Sequence, residues 1–87
     1  MTKEERSALS FLQMVVLLSD GYPMSTAKEV GGYLWPKRTD GTIALAAHEI
    51  LSRLQKWGFA SSRRISSHKS APLEWEITET GRAALAT

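Results

Sequence analysis

The chain contains no cysteine, so neither a disulfide framework nor a thiolate metal site can hold its fold together. Asparagine is also absent, which excludes an N-glycosylation acceptor. There is no long hydrophobic run. The apolar stretch from Phe11 to Leu18 is too short for a membrane span and starts too late for a signal peptide. These absences favour a cytoplasmic protein with no membrane partner, stabilised by ordinary packing.

Histidine is scarce as well. His48 and His68 are the only two, and no carboxylate pair accompanies them at the spacing of metal ligands. The sequence has no glycine-rich phosphate loop and no nucleophile elbow. We therefore expect no metal site, no cofactor and no enzymatic activity.

The composition fits one small domain with an uneven charge distribution. Its 87 residues, 43% of them hydrophobic, suffice for one modest core, so we expect a single domain over 1–87. The net charge is only +2, but the segment from Lys37 to Lys69 carries +5 and the remainder −3. Such a concentration of positive charge is typical of a protein that binds an anionic partner through one basic surface.

Two capping boxes predict where the first two helices begin. Thr2 and Glu5 predict a first helix from about residue 3 to residue 19. That helix is apolar on almost all sides, which suggests that a second element, such as another subunit, buries the side that does not face the core. A short extended piece follows, and a second helix starts at Ser25 or Thr26 and ends before Pro36. Its Gly31-Gly32 pair predicts either very close packing by another helix or an early end.

A third helix is predicted from about Thr42 to Trp57, with Gly58 as a left-handed C-cap. Its buried stripe recurs at helical spacing, and its opposite face holds polar and small residues. We expect Trp57 and Trp75 to pack in the core. The sequence does not decide whether Trp35 is buried or exposed. The predicted buried stripe is Ile43, Ala47, Ile50, Leu51, Leu54 and Trp57.

The C-terminal third predicts a hairpin followed by a short helix. Residues 59–65 form the first strand, 66–72 a basic, serine-rich loop, and 73–77 the second strand. Alternation in the second strand points Leu73, Trp75 and Ile77 inward and Glu74 and Glu76 outward. The last helical segment extends from residue 78 to residue 85.

The segments 51–59 (LSRLQKWGF) and 75–85 (WEITETGRAAL) resemble the end of the recognition helix and the exit of the wing in MarR-like and PadR-like transcriptional regulators. The resemblance covers most of the chain and is strongest from residue 51 to residue 85. It implies a winged helix-turn-helix domain of the α+β class, mostly helical. Such a domain has a three-helix core, a two- to three-stranded β-wing and a short C-terminal helix. The connection between the second and third helices is longer than the usual three- or four-residue turn.

The function that this fold implies is duplex DNA binding by a transcriptional regulator, with helix 42–57 in the major groove. Hydroxyl and imidazole groups can read base edges there, and small apolar groups can contact a thymine methyl. Basic and hydroxyl side chains before the helix suit phosphate oxygens. The candidate DNA-binding residues in these two regions are Lys37, Arg38, Thr39, Thr42, Ala44, Leu45, His48 and Ser52.

The wing, residues 63–72, is expected to lie on adjacent backbone or in a minor groove. Its candidates are Arg63, Arg64, His68 and Lys69. The plainer interpretation is that one of the two arginines pairs across the strands with Glu74 or Glu76, which leaves the other for DNA.

Two expectations concern other proteins. A homodimer is expected through helix 3–19 and the C-terminal segment. The alternative to DNA binding is a winged-helix adaptor for another protein, such as a phage- or prophage-encoded modulator, using Leu45, Trp35 and the wing. Leu45 is an unusual residue to leave in water, and Glu49 beside it opposes DNA binding unless it accepts a hydrogen bond from cytosine.

Overall fold

The computed structural model describes residues 1–18, 22–64 and 72–86, and within them the chain is of the α+β class. The order of elements agrees with the predicted order, with a two-residue strand added before the second helix. The elements are α1 (Lys3–Leu18), β1 (Ser25–Thr26), α2 (Ala27–Leu34), α3 (Ile43–Lys56), β2 (Ala60–Arg64), β3 (Leu73–Ile77) and α4 (Glu79–Leu85).

Both predicted capping boxes are confirmed. The backbone N–H of Thr2 donates to Glu5 Oε1 at 2.7 Å, and the Glu5 N–H donates back to Thr2 Oγ1 at 3.1 Å. Thr26 and Glu29 make the same reciprocal pair at the start of α2. Each box satisfies backbone donors that the first helical turn leaves without partners, so each fixes where its helix begins.

The three strands form one antiparallel sheet in the order β1-β3-β2. β1 pairs with the middle of β3, Ser25 opposite Trp75, and β2 pairs with all of β3, from Ala60 opposite Ile77 to Arg64 opposite Leu73. The central strand β3 therefore ties the segment before α2 to the chain that follows α3.

The core lies between the sheet and the first three helices. Four members of the predicted α3 stripe are buried, and Trp75 is 1% exposed. The buried apolar cluster comprises Ala8, Leu9, Leu12, Val30, Ala47, Ile50, Leu51, Leu54, Ala60, Trp75 and Ile77.

Two glycines have positions that a side chain would disturb. A Cβ on Gly31 would overlap Ile43 Cγ2, so α2 and α3 pack there at backbone distance, which is the first of the two alternatives that the glycine pair left open. Gly58 has φ +81° at the end of α3, the left-handed conformation expected of it. The neighbouring Gly32 faces open space within the described structure.

Two predictions of burial are wrong. Trp57 is 47% exposed at the C-cap of α3, and its ring lies 6.1 Å from that of Phe59 instead of entering the core. Glu74 was expected to face water but is 5% exposed. It does lie on the face opposite Trp75, but Tyr22 covers it and donates a hydrogen bond to its carboxylate.

Several predicted features extend beyond the described residues: the last residue of the first helix, the end of the first hairpin strand, and most of the hairpin loop, with His68 and Lys69. No helix among the described residues is both long and apolar enough to cross a bilayer.

Candidate nucleic-acid interface

The outer side of α3 is the first part of the candidate interface. Leu45 is 69% exposed, and His48 lies one turn further along the same face. The His48 ring meets the edge of Trp75 with centroids 5.6 Å apart, so the outer face of α3 touches the sheet through this imidazole. Ser52, another turn along, is exposed. The spacing of three and four residues places these side chains on one face.

The register of β2 and β3 sends Arg63 and Arg64 to opposite faces of the sheet. Arg63 stands opposite Glu74, and Arg64 stands opposite Leu73. Ser62, on the same side of β2 as Arg64, donates its hydroxyl to Gln55 of α3 at 2.9 Å. Side chains two residues apart on a strand share a face, so Arg64 lies on the α3 side and Arg63 on the other.

Arg63 thereby joins a cluster on the far side of the sheet. The carboxylate of Glu74, which accepts the Tyr22 hydroxyl, raises the pKa of Tyr22 above its ordinary value. Arg63 acts in the opposite direction on that phenol. The plainer interpretation of the two arginines, a cross-strand partner for one of them, fits Arg63.

A groove of about 530 Å³ opens between the start of α2, the outer face of α3 and the β2–β3 pair. Ala44, Leu45 and His48 line it from α3, and Arg64 and Leu73 line it from the sheet. It is the place where the structure brings residues predicted from distant parts of the sequence into one site.

Lys28 also lines this groove and was missed from the sequence. The capping box of α2 could have placed it in the first turn of that helix. Lys28 shares the groove with Arg64 because β1 and β2 pair with opposite edges of β3. A two-residue strand such as β1 leaves little signal in the sequence.

The connection between α2 and α3 is ordered by side-chain contacts. The Arg38 guanidinium donates from Nε and Nη2 to the two oxygens of Asp40, both at 3.0 Å, and lies 5.2 Å from the Trp35 ring centroid. Thr42 donates its hydroxyl and its backbone N–H to the same carboxylate. Arg38 first, and then Thr42, hold the pKa of Asp40 well below its ordinary value.

This network changes the electrostatics of the predicted basic turn. The charge of Arg38 is largely offset by Asp40, and the Thr42 hydroxyl is engaged with both. Lys37 and Thr39 are exposed on either side of Arg38. Of the candidates in this turn, these two retain side chains that the network does not use.

Arg53 is another cation of the basic segment that is engaged internally. Its Nε donates to Glu5 Oε2 at 2.7 Å, which ties α3 to the start of α1. The backbone N–H of Thr2 and the Arg53 side chain lower the pKa of the buried Glu5 carboxyl. Part of the positive charge of the segment from Lys37 to Lys69 is therefore used in ion pairs within the fold.

A second apolar surface lies on α1. Leu17 and Leu18 are 73% and 80% exposed. A depression of about 290 Å³ is lined by Phe11, Met14, Val15 and Leu18, with no charged side chain among the described residues that line it. At the other end of the helix, Arg6 donates to the Leu85 carbonyl at 2.9 Å and anchors α4.

The structure thus gathers Ala44, Leu45, His48 and Arg64 around one groove, and leaves Ser52 further along α3 and Arg63 across the sheet. Within residues 1–18, 22–64 and 72–86, no group of three or more potential ligand side chains could hold a metal ion. No family model matches the chain, and neither a curated protein nor a solved structure matches it significantly.

Proposed function

We propose that this chain is a winged helix-turn-helix domain that binds duplex DNA, with α3 in the major groove and the β2–β3 wing on the neighbouring backbone. In this arrangement Leu45 and His48 face base edges, and Arg64 and Lys28 contact phosphates. Lys37 and Thr39 supply further phosphate contacts ahead of α3. His68 and Lys69 of the wing loop lie outside the described residues and stay predicted DNA contacts.

One observation carries the proposal: the exposed face of α3 is flanked in one groove by Lys28 and Arg64, and no acidic side chain is among the described residues that line it. Duplex DNA is bound by an exposed helix that enters the major groove and by cations beside it that contact the phosphates. The 14 residues of α3 span about 21 Å, and an α-helix fits the width of the major groove.

A titration of fluorescently labelled random duplex DNA at low ionic strength tests the proposal. Binding is expected at micromolar protein and should weaken steeply as salt is added, because bound cations displace condensed counterions. Lys28→Ala with Arg64→Ala should lower affinity about tenfold for every sequence tested. The matched control removes the same charge away from α3, by Lys3→Ala on α1 with Arg82→Ala on α4, and should lower the affinity by no more than about twofold.

Absence of binding at low salt would contradict the proposal, and so would equal losses in the two double variants. The second result would mean that net charge alone attracts DNA and that the groove face has no special part.

The exposed apolar surface of α1 supports a homodimer as part of the same proposal. Burying Leu17 and Leu18 against a second copy would contribute about 1.5–3 kcal/mol for each fully covered side chain. A two-fold dimer would present two α3 helices to half-sites about one helical turn apart. Sedimentation equilibrium of the wild-type chain and of Leu18→Glu tests this, since only the wild type should associate.

The second candidate function is an adaptor that binds a protein through the same groove, and the 69% exposure of Leu45 favours it. Protein partners bury such a side chain in the centre of an interface, whereas DNA offers it only a thymine methyl. The salt titration separates the two, because an apolar protein interface lacks the steep counterion dependence of DNA binding.

A further inference from the structure

We propose that the binding of duplex DNA takes up a proton at His48, so that acidification from about pH 8 to about pH 5.5 strengthens the binding. DNA binding is the proposed function, and the proton uptake rests on it. A proton-dependent affinity goes further, because a helix in the major groove can bind equally well at every pH in this range.

His48 is an exposed residue whose ring packs against a buried one. It lies on the outer face of α3 and lines the groove. Its ring stands almost at a right angle to the indole of Trp75, which is 1% exposed, with centroids 5.6 Å apart. Neither ring nitrogen of His48 has a hydrogen-bond partner within the described part of the chain. Both nitrogens can therefore bond to a partner that enters the groove.

The charged side chains that share the groove with His48 are both positive. Lys28 lines it from α2 and Arg64 lines it from β2. The described lining residues of β1 and β3 do not ionise, and none of the described lining residues is acidic. The described groove thus offers a protonated His48 no anionic partner.

Three acids lie on the elements around the groove but do not line it. Glu49 follows His48 on α3, and adjacent residues of a helix do not share a face. Glu29 of α2 is used in the capping box, and Glu74 lies on the opposite face of β3. The hairpin residues 65–71 contain no acid. The anion that balances a protonated His48 must therefore come from a bound partner.

Duplex DNA supplies that anion. Its phosphates carry a dense negative charge, and the major-groove edge of either purine presents N7 as an acceptor. A neutral imidazole has one N–H donor, whereas a protonated one has two donors and a positive charge. The duplex therefore favours the protonated form. Histidine is the side chain whose charge ordinarily changes between pH 5 and 8, so the difference lies in the physiological range.

Linkage makes DNA binding and proton uptake reciprocal. As the complex forms, the solvent supplies a proton to the ring nitrogen that lacks one, and a lower pH must favour the complex by the same factor. The expected gain in affinity from about pH 8 to about pH 5.5 is about three- to tenfold, the effect of about one additional ionic contact with DNA.

Anisotropy titrations with a labelled random duplex, at one low ionic strength and at these two pH values, measure the gain. His68→Gln is made first, because it leaves His48 as the only histidine of the chain. The His68→Gln protein should bind about three- to tenfold more tightly at the lower pH. The further change His48→Gln should reduce that gain to less than about twofold. Equal gains in the two proteins would overturn the proposal.

A permanent cation at the same position gives a second variant. In the His68→Gln background, His48→Lys should bind at about pH 8 nearly as tightly as its parent binds at about pH 5.5. Its own gain on acidification should be less than about twofold. If His48→Lys keeps the full gain, the proton is taken up elsewhere and the proposal is overturned.

The lower pH leaves the contacts of Glu5 intact. Folding lowers the pKa of this carboxyl below its ordinary 4.5, so it stays charged at about pH 5.5. Urea unfolding of every variant at both pH values shows that the affinities compare folded proteins.

Calorimetry counts the proton directly. Heats of DNA binding at about pH 6.5, in two buffers with different enthalpies of ionisation, should reveal uptake of a fraction of one proton by the His68→Gln protein. The protein that also carries His48→Gln should take up almost none. Equal uptake by the two would place the proton on another group.

The same titrations distinguish the proton uptake from the proposed function. DNA binding with equal affinity at both pH values, or with lower affinity at the lower pH, would overturn the proton uptake and leave the proposed function standing. Absence of DNA binding at both pH values would overturn both.

Discussion

The groove face and the α1 face expose similar leucines in different electrostatic surroundings. Leu45 on α3 is 69% exposed in a groove that Lys28 and Arg64 also line, whereas Leu18 on α1 is 80% exposed in an apolar depression that no described charged residue lines. Exposed apolar area alone does not name a partner. The neighbouring charge indicates the kind of partner. Cations favour an anionic partner, and an apolar surface without them favours a neutral one such as a second copy of the chain.

Both faces depend on one shared core, and the close contact of α2 with α3 is where it is most easily broken. Gly31→Ala should cost a net amount of about 1–3 kcal/mol, because the new methyl group overlaps Ile43 and must push the helices apart. Gly32→Ala is the matched control. It meets open space, and it should stabilise α2 by about 0.5–1 kcal/mol. Urea unfolding of both variants measures the difference, and shifts of the same sign would contradict the close packing.

The link between α1 and α3 gives the next largest effect. Glu5→Gln should cost about 1–2 kcal/mol, since it removes the charge that accepts hydrogen bonds from Thr2 and Arg53. Exposed Glu4→Gln should change little.

The same link predicts an acid response. Because folding lowers the pKa of Glu5 below its ordinary 4.5, its stabilisation is complete above that pH and is lost as the pH falls through the folded value. Between neutral pH and about pH 3, the free energy of unfolding should therefore fall more for the wild type than for Glu5→Gln. If the free energies of unfolding of the two proteins fall in parallel with pH, Glu5 does not contribute to the acid response.

A crossed pair of substitutions tests the comparison itself. Leu45→Glu should lower affinity for a short random duplex about tenfold and leave self-association unchanged, because it places a negative charge in the groove. Leu18→Glu should do the reverse. Anisotropy and sedimentation equilibrium give the two readouts, and a single variant that abolishes both would show that the faces do not act separately.

The smallest expected effect concerns the turn before α3. Asp40→Asn releases Arg38 from its ion pair and should raise affinity for DNA about two- to threefold at low salt. Glu79→Gln on α4 changes the net charge equally and serves as the control. Equal gains in the two variants would show that the Arg38–Asp40 pair does not restrain the interface.

Local chemistry made much of this fold predictable. The capping boxes of Thr2 and Thr26 and the left-handed Gly58 act within one turn, and the prediction of them from the sequence is confirmed. The bounds of β3 also agree with its alternation.

The rest depends on contacts between distant segments. Tyr22 covers Glu74 from 52 residues away, and the register of β2 decides that Arg64 and not Arg63 reaches the groove. Trp57 keeps helical backbone angles at the C-cap of α3, so its exposure depends on what packs around the end of that helix and not on its position in the stripe. These differences share one cause, because pattern and propensity report on a single element and say little about what packs against it.

Chemical-shift mapping by NMR tests the central claim most directly. Titration of isotope-labelled protein with a random duplex at low salt should shift the amide signals of Lys28, Leu45, His48 and Arg64 and leave those of Phe11 to Leu18 nearly unchanged. Shifts confined to α1, or no shifts at all at a DNA excess, would contradict the assignment of the groove face to DNA.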